Sequence, residues 1–315
     1  SMHSNFSPFR LAALSVALAV TAGGLHAKTF KWTSASDIPT WDIHSQNNAL
    51  ANGIHAAVYE SLVYYNSKTF KPEPVLATAW KQMTPTQLRL NLRTGVKFHD
   101  GATFSADDAV FSIERAMAKT SNFGIYAQGI DRVVKVDANT IDIFTKDPNP
   151  VLLNQLTELR MMSKAWAEKN NSTAPKDIKT QEENFAHRNA NGTGPFMLKE
   201  WQPDQKIVLV KNNGWWGKSE GNVTEVVYTP VKAVATRMAA LLSGEVDLVL
   251  DPSPQDLPRV RSEGTLKVID GIENRTIFFG MDQFRDELPG SNVKGKNPLK
   301  DQRVRQALYQ GIDMD

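Results

Sequence analysis

The sequence contains no cysteine. This absence excludes structural disulfides, thiolate metal sites, thiol nucleophiles and a lipid-modified cysteine near the amino terminus. The chain must therefore be stabilised by packing, or by a metal held through ligands other than thiolate.

An excess of one charge is also missing. The chain has 36 Lys and Arg against 34 Asp and Glu, a formal net charge of +2, and no long run of one sign. Binding to a phosphate backbone depends on many clustered basic side chains, so we expect no nucleic-acid partner. The main apolar run, residues 11–22, is shorter than the roughly 20 residues that a membrane-spanning helix needs.

The amino-terminal segment has the features of a secretory signal peptide. Arg10 precedes the apolar run, and Ala27 offers a small side chain before a cleavage point. This pattern predicts a signal peptide over residues 1–27 and a mature chain that begins near Lys28. Ser1 ahead of Met2 resembles a cloning remnant.

One stretch encodes a strand, a tight turn and a capped helix in succession. Residues 88–92 alternate apolar and polar side chains, which predicts a half-buried strand. Asp100-Gly101 then supplies the chemistry of a turn with a positive φ angle. Ser105 and Asp108 stand at capping-box spacing, so we expect a helix from about Ala106.

Periodicity predicts the other elements. Helical spacing of apolar residues occurs at 47–63, 152–159, 233–243 and after Asp301. Alternation predicts strands or hairpins at 29–33, 133–145, 196–201 with 207–210, 226–229, 246–250 and 275–281. The order β-α-β across 226–250 indicates a sheet with helices on its faces, whereas 133–145 indicates an antiparallel hairpin.

The sequence gives little evidence for a catalytic or phosphate-binding motif. Gly192-Thr193-Gly194 could be a phosphate cradle, but no Lys-Ser or Lys-Thr pair follows and Pro195 lacks an amide donor, so we favour a tight turn that enters a strand. No G-x-S-x-G or S-x-x-K nucleophile motif is present around Ser163-Lys164. An exported hydrolase or metalloenzyme is the alternative from another functional class.

Five patches resemble, in order, one family: the family 5 periplasmic solute-binding proteins of ABC importers, which include dipeptide- and oligopeptide-binding proteins. The patches are residues 36–44, 92–116, 192–196 with Trp201, 240–247 and 297–308. Together they cover almost the whole chain after the signal peptide. The resemblance implies that the protein is not an enzyme and has no cofactor.

The resemblance implies an α/β fold of the periplasmic-binding-protein type II. Lobe one would comprise residues 28–53 and 160–272, with a mixed α+β subdomain inserted at 54–159. Residues 273–315 would form a crossing strand and the start of a truncated lobe two. We expect this chain, as an amino-terminal fragment with one wall of a cleft, to bind peptide very weakly.

The resemblance also implies a ligand-binding segment. In peptide-binding members an extended ligand is held by main-chain hydrogen bonds, and the lobe-one residues implied here are Asp37, Ile38, Pro39, Thr40 and Trp41. The alternative is an ordinary loop with Trp41 in the core.

A second implied segment is the crossing strand with Phe279, Gly280 and Met281, whose alternative is a plain buried strand. The implied partners are a peptide or other small solute and the membrane permease subunits, with a monomeric full-length protein in the periplasm. Glutathione, an opine, a sugar, haem or a nickel chelate are alternative cargoes. Because some relatives carry metal or haem, His44 and His55 are the alternative ligands, although the histidines lack metal-site spacing.

Overall fold

The computed structural model describes residues 26–271 and 276–313. The chain divides into two compact units, Ser1–Val260 and Arg261–Asp315, termed unit one and unit two. The predicted signal peptide lies outside the described residues except for its last two positions. In the described ranges, no helix has the length and apolar character needed to span a membrane.

Strands dominate unit one. Those of the described residues are β1 Lys28–Ser34, β2 Val63–Asn66, β3 Lys71–Pro74, β4 Ala77–Thr84, β5 Gln87–Leu92, β6 Ile130–Asp137, β7 Thr140–Thr145, β8 Phe196–Gln202, β9 Lys206–Lys211, β10 Val223–Pro230 and β11 Leu248–Val249. The predicted strands at 29–33, 88–92 and 226–229 and the predicted hairpins are confirmed.

Helices are short. They are α1 Ala49–His55, α2 Ala106–Met117, α3 Gly124–Ala127, α4 Leu152–Leu156, α5 Lys164–Lys169, α6 Phe185–Arg188, α7 Val234–Ser243, α8 Leu257–Ser262 and α9 Gln302–Gln310. The predicted capping box of α2 is confirmed, because Ser105 and Asp108 exchange side-chain and backbone hydrogen bonds. Gly244, with a φ of 79°, ends α7 as expected for a glycine cap.

A five-stranded mixed sheet has the order β11-β1-β10-β9-β8. β1 runs parallel to β10 on one side and to β11 on the other, and β10, β9 and β8 follow as antiparallel neighbours. The predicted β-α-β unit is confirmed as β10-α7-β11, with β1 lying between its two strands. The loop that leaves β1 therefore starts at the carboxyl edge of three parallel strands.

A second, antiparallel sheet has the order β4-β5-β7-β6. Helix α2 packs against it through Ala109, Ile113 and Ala116, which are completely buried. The buried apolar side chains of this core all come from residues 62–161, whereas those of the core beside the first sheet come from residues 38–59 and 162–228. A subdomain inserted at 54–159 would need a hydrophobic core of its own, and the core of residues 62–161 is consistent with that. The insertion itself stays a prediction.

Helix α1 is shorter than the predicted helix at 47–63. It ends at His55 because the chain beyond it pairs with distant backbone: the Gly194 amide donates to the Val58 carbonyl at 2.9 Å. Further on, β2 and β3 form a hairpin. Between His55 and Val63, apolar residues are buried at the spacing typical of a helix, but the backbone there is not helical. The periodicity therefore predicted a longer helix than the one that forms. The predicted helix at 152–159 likewise ends early, at Leu156.

In unit two, α9 begins after Asp301, whose side chain accepts a hydrogen bond from the Arg303 amide, so the predicted cap is confirmed. The predicted strand at 275–281 is wrong over 276–281, which contains no strand, and Arg275 lies outside the described residues. A strand needs a hydrogen-bonded neighbour, and among the described residues none pairs with this segment.

Candidate functional site

The loop after β1, residues 35–48, contains the five site residues predicted for lobe one. Three of them, Ile38, Thr40 and Trp41, are buried, with exposed fractions of 3%, 0% and 0%. Asp37 and Pro39 are partly exposed. The loop therefore turns side chains into unit one and leaves part of its backbone near the surface.

Asp37 anchors this loop to the turn between β8 and β9. Its Oδ1 accepts a hydrogen bond from the Ile38 amide at 2.8 Å. Its Oδ2 accepts from Trp201 Nε1 at 2.9 Å and from the Asp204 amide at 2.8 Å. Because both oxygens are engaged by the chain itself, the carboxylate positions the loop rather than standing free for a ligand amine.

Around the predicted site residues, some backbone groups of this loop are paired within unit one and others are not. The Trp41 amide donates to the His187 carbonyl at 2.9 Å, and His55 Nε2 donates to the Thr40 carbonyl at 2.8 Å. In the described residues no donor reaches the carbonyl oxygens of Ile38 or Pro39. Those two carbonyl oxygens are therefore unpaired within the described residues.

Trp41 lies wholly inside the core of unit one. Its ring centroid is 5.3 Å from that of His55, and its indole nitrogen has no hydrogen-bond partner among the described residues. Within unit one the ring borders no open surface, which agrees with the alternative that Trp41 is a core residue of an ordinary loop. A role in walling a ligand pocket stays a prediction.

A buried ion pair next to these residues was missed at the sequence level. Arg115 of α2 donates to Asp42 through Nη1 at 2.6 Å and Nη2 at 2.7 Å, and both side chains are almost fully enclosed. Arg115 Nη1 also lies 3.0 Å from His44 Nδ1, and its Nε donates to the Ser172 carbonyl at 3.1 Å. The pair joins the loop, α2 and the segment after α5.

The pair was detectable in principle. On α2, Asp108, Ser112 and Arg115 are buried and recur at four- and three-residue spacing, beside the apolar face. A polar stripe at that spacing on a buried helix face requires partners elsewhere in the chain. Nothing in the sequence identifies Asp42 as the partner.

Burial and charge set the protonation states here. Burial alone would raise the pKa of Asp42, but the hydrogen bonds and charge of Arg115 outweigh it and lower that pKa to about 2. Burial, followed by the charge of Arg115, lowers the pKa of His44 to about 3. Burial lowers the pKa of His55 to about 4. Asp42 is therefore ionised and both histidines are neutral at physiological pH.

We expect the free energy of unfolding to fall as the pH is lowered from 6.5 towards 4. The folded state keeps His44 and His55 neutral, whereas unfolded histidine gains a proton near pH 6.5, so the unfolded state binds more protons. The two protons of His44 and His55 give a slope approaching about 2.7 kcal/mol per pH unit. His99 and His187, whose pKa values are also lowered by burial, act in the same direction. Glu60, whose pKa is raised by burial, opposes this trend above pH 4.5.

His55→Gln isolates one of these contributions, because a glutamine amide can still donate to the Thr40 carbonyl but does not titrate. Urea unfolding at a series of pH values should show a shallower slope for the variant between pH 6.5 and 4. Equal slopes for the two proteins would contradict the assignment of a neutral buried His55.

Gly192-Thr193-Gly194 forms a turn before β8, and the phosphate-cradle alternative is wrong. The Gly192 amide donates to His99 Nδ1 at 3.2 Å, and the Gly194 amide donates to the Val58 carbonyl at 2.9 Å. Thr193 Oγ1 donates to Glu60 Oε1 at 2.8 Å. The amides of Gly192 and Gly194 are therefore already used, and the adjacent Glu60 carboxylate disfavours an anion.

The histidines are held separately. His99 Nε2 donates to the Gly194 carbonyl at 3.0 Å. His187, on α6, has its Nε2 3.2 Å from Oε1 of Glu183, which precedes that helix. His44 and His55 face Arg115 and the Thr40 carbonyl respectively. Among residues 26–271 and 276–313, no three His, Asp or Glu side chains form a group that could hold a metal ion.

The second predicted segment belongs to unit two. Phe279 is 81% exposed, Gly280 is exposed and Met281 is partly exposed. Their backbone is not in a strand, so neither the crossing-strand interpretation nor the plain buried strand describes them here. Any ligand role for these residues stays a prediction.

Comparison with known proteins identifies the family. A family model described as bacterial extracellular solute-binding proteins, family 5 middle, matches residues 71–315. The chain belongs to this family. The family predicted from the five patches is thereby confirmed.

Two curated relatives of this family 5 chain are equally similar to it. The dipeptide-binding protein of Escherichia coli K12 is 27% identical over 286 residues, which cover 82% of this chain and 49% of that protein. Heme-binding protein A of Haemophilus influenzae is also 27% identical over 286 residues, with 82% and 50% covered. The family 5 chain thus spans about half the length of the curated relatives it matches.

A solved structure agrees in fold. The ABC transporter-associated periplasmic binding protein DppA from Helicobacter pylori, in complex with peptide STSA, superposes with a TM-score of 0.67 and 26% identity. The match covers 76% of the family 5 chain and 50% of that protein. The predicted α/β fold of a periplasmic binding protein is confirmed.

Proposed function

We propose that this family 5 chain is part of the periplasmic solute-binding component of an ABC importer, and that its cargo is short peptides. The observation that carries this proposal is the likeness to the Helicobacter pylori protein, which was solved with peptide STSA bound. The similarity to the Escherichia coli dipeptide-binding protein supports the same cargo. The component itself catalyses nothing.

Recognition would use the backbone of the loop after β1. The carbonyl oxygens of Ile38 and Pro39 accept no hydrogen bond from the described residues, so they can pair with the amides of an extended peptide. Such pairing tolerates any side chain, since every peptide offers the same backbone groups. Asp37, Thr40 and Trp41 hold this backbone in place. We also retain Phe279, Gly280 and Met281 as proposed ligand-binding residues of the complete protein.

Transport would follow from closure of the complete protein around its ligand. A peptide that contacts both lobes stabilises the closed form, because only that form makes both sets of contacts. The closed form would then dock on the membrane permease.

Haem is the second candidate cargo, because Heme-binding protein A matches as well as the dipeptide-binding protein does.

Native mass spectrometry of the complete protein, of which this chain is a part, distinguishes these cargoes after gentle purification from a periplasmic extract. We expect a ladder of bound masses that correspond to short peptides, and rebinding of the peptide Ser-Thr-Ser-Ala after the ligand has been stripped. A single haem mass, another single non-peptide mass, or no binding of any peptide would contradict the peptide proposal.

Asp37→Ala tests the loop in the same experiment. The variant loses the hydrogen bonds that Asp37 accepts from Trp201 and Asp204, so residues 37–41 lose their anchor and peptide retention should fall about tenfold. Asp131→Ala is the control, because in the part of the chain that the structure describes Asp131 forms a surface ion pair with the adjacent Arg132 alone. Equal retention by the two variants would remove the loop from the proposed site.

A further inference from the structure

A side pocket of about 590 Å³ opens on unit one beyond the carboxyl end of α1. It is bordered by the β2-β3 hairpin, the segment after α4 and the turn after β9. None of the predicted site residues, 37–41 and 279–281, lines it. Its volume is that of pockets which hold small molecules.

Four aromatic rings form much of its wall: Tyr64, Tyr65, Trp215 and Trp216. The two indole rings lie at 55° to each other with centroids 5.5 Å apart. Tyr64 is 54% exposed, so its ring is accessible from solvent. A wall of this composition presents several electron-rich ring faces to an occupant.

The carboxylate of Glu60 holds the indole rings of Trp215 and Trp216 in place through hydrogen bonds. Its Oε1 accepts from Trp216 Nε1 at 2.8 Å, and its Oε2 accepts from Trp215 Nε1 at 3.3 Å. Glu60 is 9% exposed, and Thr193 Oγ1 supplies a further hydrogen bond. The ring positions are therefore set before any ligand arrives, which reduces the entropy lost on binding.

Two carboxylates, Glu60 and Glu158, line the pocket together with Arg160, whose Nη2 donates to the Asn52 carbonyl at 3.0 Å. No side-chain hydrogen bond engages the Glu158 carboxylate among the described residues, and its negative charge interacts with Arg160. The guanidinium of Arg93, which does not line the pocket, lies 4.0 Å from the centre of the Trp216 ring. One face of that ring therefore already holds a cation.

We propose that this side pocket binds a small organic cation, of the substituted-ammonium class, at a site separate from the peptide cleft. The alkyl groups of the cation would rest on Tyr64, Tyr65, Trp215 and Trp216, and its charge would be balanced by Glu158. Ring faces attract ammonium groups by electrostatics, and alkyl substitution lowers the cost of removing such a group from water. Glu60 acts as a positioning residue, since it holds the indoles.

The test compares choline with its neutral isostere 3,3-dimethylbutanol by NMR titration of the protein. We expect choline to shift the indole N–H signals of Trp215 and Trp216 and to bind at least about tenfold more tightly than the neutral compound. Equal affinity for the two probes, no saturable shift with choline, or shifts confined to other tryptophans would overturn the proposal.

Variants locate the site. Tyr64→Ala and Glu158→Gln remove an exposed ring and a carboxylate that lines the pocket, so each should weaken choline binding about fivefold or more without changing the unfolding midpoint. Phe185→Ala is the matched control, because Phe185 is an aromatic residue 45% exposed that does not line this pocket. If all three variants bind choline as the parent does, the pocket is not the site. None of these readouts depends on peptide binding.

Discussion

Replacing Gly192 with alanine is expected to lower the free energy of unfolding by about 3 kcal/mol or more. A Cβ atom at this position would overlap the carbonyl oxygen of Val58, which is backbone and cannot rotate away. The turn would have to move, and its amide would lose the hydrogen bond to His99. Urea unfolding followed by circular dichroism measures the loss.

Gly53→Ala is the matched control for this variant. Gly53 lies within α1, and an added Cβ would meet no atom within 4 Å. Alanine is a better helix residue than glycine, so this variant should be more stable than the parent by about 0.5–1 kcal/mol. If the two variants had similar stabilities, close backbone packing at Gly192 would not be the cause.

Arg115→Met is expected to cost about 3–5 kcal/mol of unfolding free energy, because it leaves the carboxylate of Asp42 buried without its partner. The same substitution with Asp42→Asn should recover at least about half of that loss, since no buried charge remains. Recovery in the double variant separates a charge effect from a simple loss of packing.

Lys135→Met is the control for the ion pair. Lys135 pairs with Asp107 of α2 at 3.0 Å, but both side chains are exposed. An exposed pair contributes little, so this variant should lose no more than about 1 kcal/mol. If Arg115→Met were no more destabilising than Lys135→Met, the buried pair would not hold the loop to α2.

Sequence predicted those elements whose determinants are local. The capping box of α2 depends on Ser105 and Asp108, three residues apart, and it forms as expected. The turn at Asp100-Gly101 has its positive φ angle of 91° at the glycine. The family was also predicted from short patches, and four of the five lie within the residues that the family model matches.

Prediction from the sequence failed for features that depend on a residue far away in the chain. Helix α1 stops early because Val58 pairs with Gly194, and no local pattern predicts that contact. Residues 276–281 have the composition of a strand but no neighbour among the described residues. Asp42 meets Arg115 across 73 positions of sequence. The candidate loop was found by resemblance, whereas its anchors required the fold.

The order of the first sheet also constrains when the protein can fold. Strand β1 pairs with β10, and Thr33 donates to the Thr229 carbonyl, 196 residues later. Closing a loop of that length costs more conformational entropy than closing the short connections within the antiparallel sheet. Because pairing of near strands is faster, the antiparallel sheet can form first. Among the described residues, the strand nearest the amino terminus is thus among the last to be ordered.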